Sequence, residues 1–222
     1  MSCLRSPGLV LAIDGPDLAA FLTEARTALA QVPAQTMLHS GIAAAYRDGL
    51  TRLDSATGVD SLARGVAGSD ACGQAALHVV PAATFLANPA LAHENFGPSS
   101  LLVRCADAAE LHTVLTALEG QLTATLHLAD KDLPLAAELL PLLERKAGRI
   151  LVNGWPTGVE VCRTMVHGGP FPATSDPRTT SVGALAINRF LRPICYQAFP
   201  DVLLPSALQD SNPLSLPRRH FT

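Results

Sequence analysis

Charge and aromatic side chains are both scarce in this chain of 222 residues: 16% of positions are Asp, Glu, Lys or Arg, and 5% are Phe, Trp or Tyr. The 16 Lys and Arg against 19 Asp and Glu leave a formal net charge of −3, and Arg218-Arg219 is the one basic cluster. Nucleic acid is thereby excluded as a default partner, because phosphate binding shows itself as a basic excess or stripe. Long apolar runs are missing too. The greasiest stretch, Leu133 to Leu143, is interrupted by Glu138 and carries Pro134 and Pro141, whereas a membrane-spanning helix needs about 18 apolar residues in a row. The apolar run Leu9 to Ile13 is closed by Asp14-Gly15-Pro16-Asp17 and is shorter than the roughly 7–15-residue core of a signal peptide. No membrane partner is expected, and a cytoplasmic setting is. Cysteines are few and dispersed: Cys3, Cys72, Cys105, Cys162 and Cys195 form no C-x-x-C pair, so neither a disulfide framework nor a zinc site is expected. The 7 histidines are equally scattered, and no metal is predicted.

What remains is apolar and patterned. Hydrophobic residues make up 48% of the chain, too many for disorder and enough for one substantial core. Ser100 to Cys105 reads as a buried strand. Asp107 followed by Glu110 has capping-box spacing, and Leu111, Val114, Leu115 and Leu118 share one helical face, with Gly120 as the stop. From Gln121 to Leu128 the period changes to two. A second helix spans Asp132 to Lys146 with Leu135, Leu139, Leu142 and Leu143 inward; Pro141 should kink it and Gly148 end it. Arg149 to Asn153 is the next strand. The N-terminal part adds a strand at Leu9–Ile13, helices at Asp17–Gln31 and Ser40–Leu53, and a strand at Gln74–Val80. Strands alternating with helices over short links predict an α/β fold with a mostly parallel sheet and crossover helices.

Beyond Val152 the composition shifts: residues 154–180 are rich in proline and glycine and read as a functional loop. A short helix at Ser181–Phe190 precedes Leu191–Gln197, a late strand that Pro193 confines to a sheet edge. Two motifs are set aside. Gly65 to Gly73 is glycine-rich without G-x-G-x-x-G and reads as a loop. His167-Gly168-Gly169-Pro170 is like an esterase oxyanion loop, but no G-x-S-x-G accompanies it.

Several stretches resemble one family. Glu94-Asn95-Phe96-Gly97-Pro98 resembles the E-x-F-G-P signature of aldehyde dehydrogenases. The segments SPGLV (6–10), GRILVNGWPTGVEVC (148–162), MVHGGPFPATSDPRTTSVGALAI (165–187) and RFLRPICYQ (189–197) are similar to the 2,5-dioxovalerate (α-ketoglutarate semialdehyde) dehydrogenase branch. The resemblance covers nearly the whole chain, to Leu214, and is to the C-terminal catalytic-domain portion of a longer enzyme. It implies a single catalytic-type domain over 1–222, with an α/β core at 1–190 and an edge or oligomerisation strand and tail at 191–222.

The resemblance further implies oxidation of a small aldehyde with NADP or NAD. A cysteine thiolate attacks the aldehyde, hydride passes to NAD(P)⁺, and a Glu-activated water hydrolyses the thioester. Cys3 is the candidate nucleophile, although Leu4, Arg5 and Ser6 separate it from Pro7-Gly8 where the branch has two residues; without a gap Leu4 would fall at the nucleophile position. Glu94 is implied to bind the nicotinamide ribose hydroxyls and Phe96 to pack beside the nicotinamide ring. Trp155, Pro156 and Val161 fall in the substrate loop. The dinucleotide-binding domain, the general-base Glu and the oxyanion Asn would lie outside this chain. The expectation is therefore a truncated portion, inactive alone, possessing a homo-oligomeric habit and a separate cofactor-domain half as partner. The alternative is a non-catalytic remnant or split-enzyme half that acts by docking.

Overall fold

The computed structural model describes residues 7–156 and 158–218. They form two compact units, the first ending at Ala186 and the second starting at Ile187. In chain order the first unit contains β1 (Leu9–Ile13), α1 (Pro16–Leu29), β2 (Gln35–Thr36), α2 (Ser40–Ser55), β3 (Asp60–Arg64), β4 (Cys72–Gly73), β5 (Ala76–Pro81) and α3 (Ala82–Ala87). There follow β6 (Ser99–Cys105), α4 (Ala108–Ala117), β7 (Gln121–Leu126), α5 (Leu133–Lys146) and β8 (Ala147–Val152).

The main sheet has four strands in the order β1-β6-β5-β3. β1, β6 and β5 run parallel, and β3 closes the edge antiparallel to β5. Burial on both faces explains why the inner strands read as continuous apolar runs. On one face Val80, Leu101, Val103 and Cys105 pack with Phe85 of α3 and Val114 of α4. On the other, Leu77, Val79 and Leu102 pack with Leu18 of α1. The successive residues of β5 and β6 thus go to opposite sides, the period-two rule of a strand.

The α/β architecture agrees with the sequence reading, and several details differ. β7 and β8 make a separate parallel pair rather than extending the main sheet. Their cover is α5, through Leu139, Leu142 and Leu143, together with Leu115 of α4. Helix α4 therefore serves both sheets: Val114 turns to one and Leu115 to the other. Asp107 caps α4 by accepting from the Glu110 amide (2.8 Å), but the Glu110 carboxylate accepts in turn from the amide of Ala106, one residue before the cap, rather than from that of Asp107. α5 runs unbroken through Pro141.

Neither glycine stops its helix. α4 ends at Ala117, and Gly148 lies inside β8. Both are needed for close approach instead. A Cβ at Gly120 would overlap the carbonyl oxygen of Pro170, and one at Gly148 the carbonyl oxygen of Gly168. The His167–Pro170 segment is thus seated against the starts of β7 and β8. The glycine-rich 65–73 loop is likewise not wholly irregular, since Cys72–Gly73 pairs with Gln35–Thr36.

In the second unit, Leu191–Gln197 belongs to no strand. Pro193 offers no amide hydrogen, and no neighbouring strand among the described residues supplies a ladder. The region 184–190 is a 3₁₀ helix rather than an α-helix. The remainder is held by local bonds, such as the Asp201 carboxylate accepting from the Asp210 amide (2.8 Å). Tyr196 and Phe199 pack with ring centroids 5.2 Å apart.

One buried cluster was not foreseen. His78 of β5 is 0% exposed, and its Nε2 lies 3.0 Å from Oδ1 of Asp54 on α2, with the Arg64 guanidinium bonded to the same carboxylate. Its Nδ1 has no partner. The Arg64 Nη2 also lies 3.2 Å from Nε2; in the tautomer that donates from Nε2–H to Asp54, Arg64 serves the carboxylate rather than the ring, and Nδ1 is left as a bare acceptor, the less costly orphan. Burial pushes the imidazole below its ordinary value, outweighing the opposing hydrogen bond to Asp54. A lowered folded pKa means that the unfolded chain takes up the proton first as pH falls. Stability from His78 is therefore complete above about pH 6.5 and drains away as pH drops toward the lowered folded value. Thermal melts should show Tm level above that point and falling below it, with the fall reduced in His78→Gln. An identical acid slope in the variant would refute this assignment.

Candidate functional site

Residues 94–98 link a 3₁₀ turn at Pro89–Ala92 to β6, bending at Gly97 and Pro98, and exposure alternates along them, with Glu94 and Phe96 outward and Asn95 and Gly97 inward. The inward set anchors the loop. Asn95 donates from Nδ2 to the Ser99 hydroxyl (3.1 Å) and fills the space left by Gly49 on α2, where a Cβ would strike Asn95 Oδ1. Gly97 lies flat on the ring of Tyr46, so closely that any Cβ would overlap Cδ2 and Cε2. Tyr46 cannot yield: it is 1% exposed and its hydroxyl donates to the Gln74 carbonyl at 2.6 Å. Burial pushes that phenol up to about 12, so it remains a neutral donor. The Pro98 carbonyl accepts from the Ala76 amide at 3.0 Å, which ties the loop to β5.

The outward set is Glu94 and Phe96, both exposed, with Phe96 at 58%. Glu94 makes no hydrogen bond or ion pair with any described residue. A free carboxylate two residues from an open ring, both on a pinned backbone, can accept from two hydroxyls while presenting an apolar surface to a flat ligand.

A second cluster lies where β7 and β8 end. Asn153 adopts the left-handed region (φ 50°), which asparagine tolerates. There its amide donates to the Leu126 carbonyl (2.9 Å) while its side chain both accepts from the Leu128 amide and donates to the Leu128 carbonyl, each at 2.9 Å. These three bonds hold the two strand exits together. They bring Trp155 onto His127, with ring centroids 4.8 Å apart and planes tilted by 46°. Pro156 and Val161 are exposed. Glu94 with Phe96, and Trp155 with His127, are thus two separate constellations. Sequence reasoning placed residue 127 within the Gln121–Leu128 strand and Asn153 at the end of the next, and gave neither a site role. The signal for the latter was an asparagine directly before glycine at a strand end.

Among the thiols, Cys3 lies outside the described residues. The Thr164 hydroxyl, 3.5 Å from Cys162 Sγ, holds that thiol below its usual value, and Ser69 does the same for Cys72. Burial pushes Cys105 up to about 11. Among the described residues no three His, Cys, Asp or Glu side chains gather to hold a metal.

The fold is that of aldehyde dehydrogenases: the Δ-pyrroline-5-carboxylate dehydrogenase of Mycobacterium tuberculosis superposes with a TM-score of 0.65 over 89% of this chain and 39% of that one, at 16% identity. No family model matches the sequence. Among curated proteins, the chain is 63% identical over 214 residues to alpha-ketoglutaric semialdehyde dehydrogenase 2 of Azospirillum brasilense. It is 48% identical over 219 residues to alpha-ketoglutaric semialdehyde dehydrogenase of Acinetobacter baylyi. Each match covers 96% of this chain, which spans only 41% of either relative's length. Over its own length the chain is similar in sequence to these aldehyde dehydrogenases and shares their fold.

Proposed function

We propose that this chain is the thiol-bearing and ribose-binding part of an aldehyde dehydrogenase that oxidises α-ketoglutaric semialdehyde (2,5-dioxovalerate) to 2-oxoglutarate with NADP or NAD. The 63% identity to a relative bearing that name, sustained over 96% of the chain, carries the reading. The pinned Glu94–Pro98 loop supports it. In this reading Cys3 is the nucleophile, Glu94 accepts hydrogen bonds from the nicotinamide ribose, and Phe96 flanks the ring. Trp155, Pro156 and Val161 border the aldehyde. Bound dinucleotide would supply the hydride acceptor. The chain's own contribution is to position that acceptor against the thiol and to line the aldehyde's path.

The remaining machinery, including a cofactor domain and the general base, comes from outside these 222 residues, as a separate half or as further chain. The same holds for self-association. The second unit exposes Phe190, Leu191, Val202 and Leu203, an apolar surface suited to contact with another subunit.

The test has two arms. With NAD(P)⁺ and the semialdehyde, the chain alone should produce no more than trace absorbance from reduced cofactor. A chimera in which it replaces the corresponding region of the 63%-identical relative should turn over, and Cys3→Ser should abolish this. A folded chimera that binds dinucleotide yet leaves the semialdehyde untouched would overturn the proposal, as would robust turnover by the chain alone.

A further inference from the structure

Arg149 has no role in the account so far, and its surroundings are unusual. It lies on β8 opposite Thr123 of β7. Ala124, Leu126 and Ile150 pack with α5, so alternation puts Arg149 on the face turned away from that helix. It is half-buried, forms no ion pair with any described residue, and its Nε is buried without a hydrogen-bond partner. Burying the Nε of a guanidinium with no partner for it among the described residues carries a cost even though Nη1 stays near solvent. An apolar residue would fill the same place at less cost.

What the guanidinium does is reach across to the segment that leaves β8. A single nitrogen, Nη1, donates to the Gly158 carbonyl at 2.8 Å and lies 3.7 Å from the Met165 sulfur. One strand residue therefore grips two points seven residues apart on the returning chain. Between them stand Val161 and Cys162. Trp155 is three residues before the first grip point, and three residues of chain span at most about 11 Å. A fixed Gly158 thus bounds how far the indole can swing from His127, while Asn153 bounds it from the other side.

We propose that Arg149 is a positioning residue for the Trp155–His127 pair, acting as a two-point tether on residues 158–165. This rests on the reading of Trp155 and Val161 as substrate-bordering residues for its catalytic consequence, but the tether is open to test without any activity.

Trp155 is the only tryptophan, so its fluorescence reports the site directly in the full chain, and exposed Arg163 offers trypsin a cleavage point inside the tethered segment. In Arg149→Gln the steady-state anisotropy of Trp155 should fall and cleavage after Arg163 should accelerate about tenfold, with far-UV circular dichroism unchanged. Arg149→Lys keeps one donor and a charge and should restore most of the protection. Unchanged anisotropy and cleavage in Arg149→Gln would overturn the proposal. So would equal loss in both variants accompanied by a collapse of Tm, which would make Arg149 a folding residue only. In the chimera, the tether predicts a raised KM for the semialdehyde with kcat nearly kept. A chimera inactive even with native Arg149 counts against the proposed function and leaves the fluorescence result standing.

Discussion

Alanine at Gly97 should be among the most damaging single-methyl additions in this chain. The new Cβ would enter the space of the Tyr46 ring, and that ring is fixed by complete burial and by its bond to Gln74. Relief requires either moving Tyr46, which sits with Met37, Ala43, Leu50 and Ala76 in one packed cluster, or lifting the loop away from α2. Overpacking of this kind costs roughly 1–3 kcal/mol. If the loop lifts instead, the Asn95–Ser99 bond and the Pro98–Ala76 bond go with it, at about 1 kcal/mol each. A loss of about 2 kcal/mol is expected by either route, read as a drop in the urea midpoint of the purified chain. In the chimera the same change should displace Glu94 and Phe96 and remove most turnover. A Gly97→Ala chain with the native midpoint would show that the loop is not seated on Tyr46.

Glu94→Gln should have the converse profile, large in function and silent in folding. The carboxylate is exposed and touches no described residue, and substitutions at such sites stay within about 0.5 kcal/mol. Its proposed partners are two ribose hydroxyls, and hydrogen bonds to a charged group contribute about 1.5–3 kcal/mol each. Glutamine keeps one acceptor oxygen, so one such bond is lost and the other loses its charge. A fall in kcat/KM for the dinucleotide of roughly a hundredfold follows. It should be measured in the chimera, with direct cofactor titration separating binding from chemistry. An unaltered chimera would remove Glu94 from the cofactor site.

Legibility in the sequence followed burial and locality. β1 was readable as an unbroken apolar run, β6 because it is nearly all buried, and α4 and α5 because Val114 and Leu115, and Leu139, Leu142 and Leu143, recur at helical spacing over the core. β3 was not readable. Asp60-Ser61-Leu62-Ala63-Arg64 has charged or polar residues at three of its five positions and owes its state to pairing with β5 across a bulge. α3 has six residues, too few to display a period. Gly120 and Gly148 were misread because a glycine after an apolar helix is most often its stop, whereas here the reason comes from the 168–170 segment, distant in sequence.

Within the site, the E-x-F-G-P wording pointed to Glu94 and Phe96. The physical reasons for the glycine and the intervening asparagine appeared only when Tyr46 and Gly49 were brought beneath them. Arg149 and His78 stayed hidden because a polar residue inside an apolar strand carries no label for what it faces. Cys3 lies beyond the described residues, and its part in the chemistry rests on the resemblance alone.

The two-sided character of residues 94–98 has an evolutionary corollary. Because the downward-facing positions carry the attachment and the upward-facing ones the proposed recognition, positions 94 and 96 can drift without taxing the scaffold. A single inserted or deleted residue in this link is another matter. It would exchange the two faces, pressing an acid against a tyrosine and turning an anchor out to water.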